Sequence, residues 1–253
     1  TEVDTLSLHD ALPISAAASG GFCRAVVGTD AGELWEVALE GPKSRERAPA
    51  RVYCLPFAEP VTGVAVETLE PRGGGGASES GLVCIVATPS RFYTFCGPGL
   101  SLASVFEAYA RDPDLQSFIE LPDEERSSRG DLMVYRGADG RAQRFAWLAS
   151  PGVYHGSLVL RWENAPEPGM EHVLVPEHTL LPFAEEDGFA ARDIVGVSLT
   201  EHHIVLVGQR DVRVVNRVSE CVVFEEGLKG QSFLGVATDA SSGAIFEIGR
   251  AHV

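Results

Sequence analysis

His155, in the run Tyr154-His155-Gly156, is the first residue whose chemistry needs weighing. A general base needs a nucleophile or a metal within hydrogen-bond reach. Neither is visible nearby, so a hydrogen-bonded structural histidine is expected. Ser157 follows in HGSLVL rather than in the G-x-S-x-G elbow of a hydrolase. Glu201-His202-His203 can be drawn as a metal cluster, but neighbours at i and i+1 in a strand face opposite ways and cannot easily share one ion. Structural or solvent-exposed roles are expected for both histidines. Glu124-Glu125 and Glu185-Glu186-Asp187 fall in loops and read as solvated charge. Gly73-Gly74-Gly75-Gly76 invites a phosphate-cradle reading, yet no Gly-Lys-Ser/Thr follows and no helix begins there, so it reads as a surface loop.

The five cysteines, Cys23, Cys54, Cys84, Cys96 and Cys221, are separated by 31, 30, 12 and 125 residues. That spacing holds no C-x-x-C pair and no Cys/His cluster, so zinc is not expected. Most sit in or beside strand-like runs, where a reduced cysteine packs as a small hydrophobe. An odd, unpaired set fits a reducing, cytosolic setting. The expectation is of no catalytic, cofactor-binding or metal site.

The elements carrying these residues read as strands. Residues 193–226, DIVGVSLTEHHIVLVGQRDVRVVNRVSECVVFEE, divide into four: Ile194 to Leu199, His203 to Val207, Val212 to Val218 and Cys221 to Glu225, each closed by a turn signal. The run Ile204-Val205-Leu206-Val207 is apolar on both sides of the pleat, so that strand should be covered on both faces. Val212 and Val214 alternate with Arg213, which suits a strand nearer the outside. Strand–turn–strand units recur at Cys23 to Leu39, Leu82 to Cys96 and Arg144 to Leu158, and a fifth opens at Phe233. Turns centred near Thr29, Thr88, Ser150 and Gln209 are spaced by 59, 62 and 59 residues. Small antiparallel sheets repeating at one period indicate propeller blades. The expected fold is all-β, a partial β-propeller of about three four-stranded blades with part-blades at each end. Leu102, Val105, Phe106 and Tyr109, then Leu115, Phe118 and Ile119, fall at helical spacing, which predicts either a short helix or an irregular outer strand.

Acids outnumber bases by 36 to 20, and the net charge of −16 argues against nucleic acid or anionic lipid as a direct partner. At 45% hydrophobic residues the chain can build a core, and no apolar run approaches the roughly eighteen residues of a membrane span. Residues 4–14, DTLSLHDALPI, and 248–253, IGRAHV, resemble translated sequencing-adapter read-through. The expected division is therefore 1–14 and 248–253 outside the fold and 15–247 as propeller, an internal fragment whose open ends should promote aggregation. His9 and His252 then carry no functional weight. Without these ends the balance is 33 acids to 19 bases.

VATPSRFYTFCGPGLSLASVFEAY (86–109) is where the residues cease to be generic. With VVGTDAGELWEVAL (26–39), RFAWLASPGVYHGSL (144–158), SLTEHHIVLVGQRDVRVVNRVSE (198–220) and GVATDASSGAIFE (235–247), it resembles the N-terminal propeller of the vacuolar protein sorting-associated protein 18 family, the Pep3/deep orange type. The inserts at 72–78 and 185–188 depart from the family. The resemblance implies a subunit of HOPS and CORVET complexes, which tether membranes at endosomes and the vacuole or lysosome. It implies other tethering subunits as partners, no small-molecule substrate, and a cytoplasmic, membrane-peripheral location. The family's solenoid and RING-type zinc finger have no counterpart in these residues, so no zinc or ubiquitin-ligase role is carried over. A propeller enzyme with convergent channel carboxylates and a generic WD40-like adaptor are the alternatives. The missing GH…WD signature weakens the latter.

Overall fold

The computed structural model describes residues 12–19, 22–38, 49–69, 81–98, 101–122, 132–138, 141–161, 172–175, 177–183, 194–227, 233–238 and 245–249. The chain divides into two compact units, Thr1–Leu121 with Leu160–Leu174, and Pro122–Val159 with Val175–Val253.

The first unit holds two antiparallel meanders. β1 (Leu12–Ser19), β2 (Phe22–Gly28), β3 (Glu33–Ala38) and β4 (Ala50–Cys54) pair in chain order. So do β5 (Gly63–Leu69), β6 (Gly81–Ala87), β7 (Arg91–Pro98) and β8 (Ser117–Glu120). The first strands meet, with β5 beside β1. Every residue of β6, GLVCIVA, is buried, as expected of a β-branched, apolar strand covered on both faces. Leu82, Cys84 and Val86 point into one core with Tyr93, Phe95 and Val64. Two turns repeat one bond: the Thr29 N–H donates to the Glu33 carbonyl and the Thr88 N–H to the Arg91 carbonyl, both within 2.9 Å.

Between β7 and β8 lies α1 (Leu102–Arg111), whose Leu102, Val105, Phe106 and Tyr109 are buried on one face. The helix ends at Asp112, which precedes Pro113 and is extended, with φ −137° and ψ 94°. A residue before proline is pushed out of the α region. Leu115 therefore falls in a 3₁₀ turn and Phe118 and Ile119 in β8. Both predicted alternatives occur, one after the other. β8 pairs with β7 only along Arg91 to Thr94. Beyond it, the Tyr109 hydroxyl takes over: it accepts from the Cys96 N–H at 3.0 Å and donates to the Cys96 carbonyl at 3.3 Å. A buried backbone pair is thus satisfied without a strand.

In the second unit β9 (Leu132–Arg136), β10 (Ala142–Leu148), β11 (Gly152–Ser157) and β14 (His178–Pro182) form one meander. In sequence the pair β12 (Val159–Arg161) and β13 (His172–Leu174) comes before β14, but from Leu160 on it belongs to the first unit. β15 (Ile194–Leu199), β16 (His203–Gly208), β17 (Asp211–Asn216) and β18 (Val222–Gly227) form another, and β19 (Phe233–Thr238) pairs with β20 (Ile245–Gly249). β15 meets β9, β10 and β19. β16 shows the two-faced burial its sequence predicts: Ile204 and Leu206 enter a core with Val197 and Val215, while Val205 and Val207 join Val212. β17 stops at Asn216, short of the expected Val218, because the Asn216 side chain accepts from the N–H groups of Val218 and Ser219. This Asx turn competes with the ladder.

Four four-stranded meanders and two two-stranded pairs among the described residues establish the all-β class and raise the number of complete sheets from about three to four. Leu12 to Ile14 lie in β1 and Ile248 and Gly249 in β20, so strand pairing reaches into both adapter-like segments. No helix among the described residues is long and apolar enough to cross a membrane.

Candidate interaction surface

His155 sits in β11 and is only 6% exposed. Its Nε2 has no hydrogen-bond partner, so burial, rather than the bonding its sequence context suggested, defines it. Burial also holds its pKa down, with Glu220 partly opposing. Ser157 lies two residues on, half-buried, at the end of β11. His202 is exposed in the turn ahead of β16, its Nε2 3.9 Å from the Glu201 carboxylate, and His203 begins the strand with its ring nearly perpendicular, 6.4 Å away. Among the described residues no three His, Cys, Asp or Glu side chains gather as metal ligands. Cys84 and Cys96 are buried free thiols and Cys54 and Cys221 exposed ones. Burial pushes the Cys84 thiol up to about 12, which makes it inert. The side chain of Cys23, the glycine run 73–76, Glu124-Glu125 and 185–187 lie outside the described residues.

A dense polar cluster among the described residues was not legible in the sequence. Arg91, at the start of β7, ion-pairs with Glu59 and Glu120 and lies 3.8 Å from the centroid of the Phe57 ring. Glu59 accepts from the Thr88 and Ser90 hydroxyls, each at 2.7 Å. The connection between the first two sheets is thereby bolted to the turn of the second. Burial works against the charge of Glu59, but the Ser90 and Thr88 hydroxyls and the Arg91 guanidinium outweigh it and hold the carboxyl below its ordinary range. Because the folded-state value is the lower one, this contribution is complete above the unfolded carboxylate value and is lost as pH falls through the folded one. Glu59→Gln leaves a guanidinium that is only 11% exposed without its closer counter-charge. The expected cost is about 2–3 kcal/mol in a urea titration at neutral pH. Part of the wild-type loss of stability in acid should be absent from the variant. A change within about 0.5 kcal/mol, the usual range for featureless surface sites, would contradict this bolting role.

Among the described residues, two features are open to a partner. The first is a shallow cleft beside β4 and α1, of about 350 Å³ next to Tyr53, Tyr109 and Gln116 and about 550 Å³ next to Phe106 and Glu107. The second is β18, the outer strand of its sheet. Val222, Val223 and Phe224 are 47%, 55% and 49% exposed, and all six residues of β18 are exposed. By contrast β4 buries Tyr53 and β14 buries Leu181. The sequence marks β18 as a strand but cannot mark it as uncovered, because exposure depends on what packs against it.

Residues 24–247 match the model of the Pep3/Vps18/deep orange β-propeller domain. Vacuolar sorting protein 18 of Arabidopsis thaliana is 29% identical over 229 residues, which are 87% of this chain and 22% of that protein. The chain thus spans about a fifth of that relative. Among solved structures, apo AztD from Citrobacter koseri aligns with 93% of this chain and 49% of its own at 13% identity and a TM-score of 0.40. Sqt1 from Saccharomyces cerevisiae aligns with 88% of this chain and 57% of its own at 9% identity and 0.45. Likenesses so distant carry no assignment. The family match spans all four meanders from β2 onward, and by it the chain belongs to the Pep3/Vps18/deep orange β-propeller family.

Proposed function

We propose that the chain is a non-enzymatic interaction platform of a vacuolar sorting subunit. It serves a HOPS- or CORVET-type complex that tethers membranes during vesicle docking and fusion and in endosome-to-vacuole or lysosome transport. The observation that carries this reading is the family match across residues 24–247, together with the vacuolar sorting relative. The propeller comprises residues 15–247, with 1–14 and 248–253 outside its function, and it works in the cytoplasm, peripheral to late endosomal and vacuolar membranes. Its partners are other tethering subunits. The net charge of −16 disfavours nucleic acid and anionic lipid as direct ligands.

A graft tests the proposal. Residues 24–247 replace the corresponding propeller of the Arabidopsis relative, and complex assembly and delivery of a vacuolar cargo are measured in cells lacking that relative. Assembly into the complex with restored delivery is expected. A hybrid that accumulates normally yet stays outside the complex overturns the proposal.

A further inference from the structure

The free edge of β18 assigns a second level to this platform. We infer that it is a strand-addition site for a short extended segment of a partner protein, carrying a basic and an apolar side chain on one face. The inference rests on reading the propeller as an interaction platform, and names one of its docking edges.

Among the described residues β18 pairs only with β17, so its outer N–H and C=O groups face away from any described strand. Such an edge is a template for pairing unless it is blunted by charge, proline or cover. Charge at Glu225 and Glu226 and a bulge at Val223 blunt this edge only in part: Val222, Val223 and Phe224 stand consecutively exposed, and Val218 in the preceding turn is 74% exposed. Main-chain bonding would supply affinity and the alternating side chains specificity.

The register defines the occupant. Phe224 lies opposite Val214 and Glu226 opposite Val212, so Phe224 and Glu226 share a face. Glu225 is half exposed but already engaged by Arg213 at 2.8 Å, which leaves Glu226 as the exposed acid of the strand with no ion pair among the described residues. The ladder is irregular between Val214 and Val215, where Val223 is the extra residue. A bulge interrupts pairing, so an incoming strand is confined to the stretch 224–227. An antiparallel strand then places a basic residue against Glu226 and, two residues later, an apolar one against Phe224. A second copy of this chain is disfavoured as occupant, because it would bring Glu225 and Glu226 and a further net charge of −16 to the same edge.

The probe is the octapeptide Lys-Thr-Val-Thr-Lys-Thr-Val-Thr, which alternates Lys and Val on one face, against a control with Glu for Lys. Binding to the whole chain is titrated and amide hydrogen exchange is followed across residues 222–227. Saturable binding with slowed exchange there is expected, with the Glu peptide about tenfold or more weaker. Phe224→Lys should abolish the protection, and Glu226→Lys should reverse the preference between peptides. Phe224 is half exposed, so its variant should fold; if it does not, Glu226→Lys decides alone. No protection at 222–227, or equal binding of both peptides, overturns the inference. So does protection of the outward-facing amides, those not bonded to β17, already present without peptide, which identifies the chain itself as occupant when dilute and a second copy when it grows with concentration. The assay needs only chain and peptide, whereas the tethering proposal is read in complex assembly, so either can fail without the other.

Discussion

Phe95→Ala is expected to lower the unfolding free energy by about 3–5 kcal/mol. Phe95 is fully buried in β7 and meets four aromatic rings. Tyr53, Phe106 and Tyr109 approach edge-on at 5.4, 5.0 and 5.1 Å, and Tyr93 lies near-parallel at 6.0 Å. These rings come from β4, α1 and β7, so one side chain joins two sheets and the helix. Truncation removes the ring's transfer free energy and leaves a cavity that rigid neighbours cannot close. Tyr53 is held by stacking on Phe106 at 4.7 Å and by a bond from Gln116 to its hydroxyl, and Tyr109 by its bonds to Cys96. In a domain of this size each kcal/mol lowers the melting temperature by about 2–4 °C. Calorimetry should therefore register a fall of roughly 10 °C. A fall of a degree or two would mean that the aromatic cluster repacks freely.

The second large effect is expected at Gly97, where Gly97→Ala should cost about 3 kcal/mol or more. A Cβ built on Gly97 would lie 2.4 Å from the Val105 Cα and 3.2 Å from the Ser104 carbonyl oxygen. The obstacle is the backbone of α1, not a movable side chain, so the helix itself must shift off β7. The Tyr109 hydroxyl bonds to Cys96, one residue away, would be strained with it. Gly227→Ala at the end of β18 is the matched control, because a Cβ added there meets nothing within 4 Å. It should fall within about 0.5 kcal/mol of the wild type. Urea titrations of the two variants side by side check both expectations. Equal stabilities would refute the close helix–strand approach.

Much of the fold is legible in the sequence for local reasons. The turns near Thr29, Thr88, Ser150 and Gln209 carry polar or Gly/Pro/Asp residues between β-branched runs, and each lies between the second and third strands of a sheet. Pattern reading misses β1 and β14. β1 is LPISAAAS, with little intrinsic strand preference, and its strand state is set by register with β2. β14, HTLLP, becomes a strand by pairing with β11 across an inserted two-stranded pair that no local pattern announces. The absence of a G-x-S-x-G elbow or a clustered ligand set is local too. The Arg91 cluster is not, because Glu59 is 32 residues from Arg91 and the side chains meet only once two sheets are docked. The bareness of β18 is likewise a property of what surrounds it.

The connections divide the sequence into two classes of position. Links from second to third strand span only 29–32, 88–90, 149–151 and 209–210, and backbone bonds close those at Thr29, Thr88 and Ala149. Links from third to fourth strand accept a helix in one sheet, a two-stranded pair in another and a tight Asx turn in a third. Length added there leaves the inner ladders in register, since only the outer strand waits on it. A propeller of this design can keep its inner ladders while acquiring new surface one blade at a time. Divergence between relatives should concentrate at those outer joints and spare the tight turns.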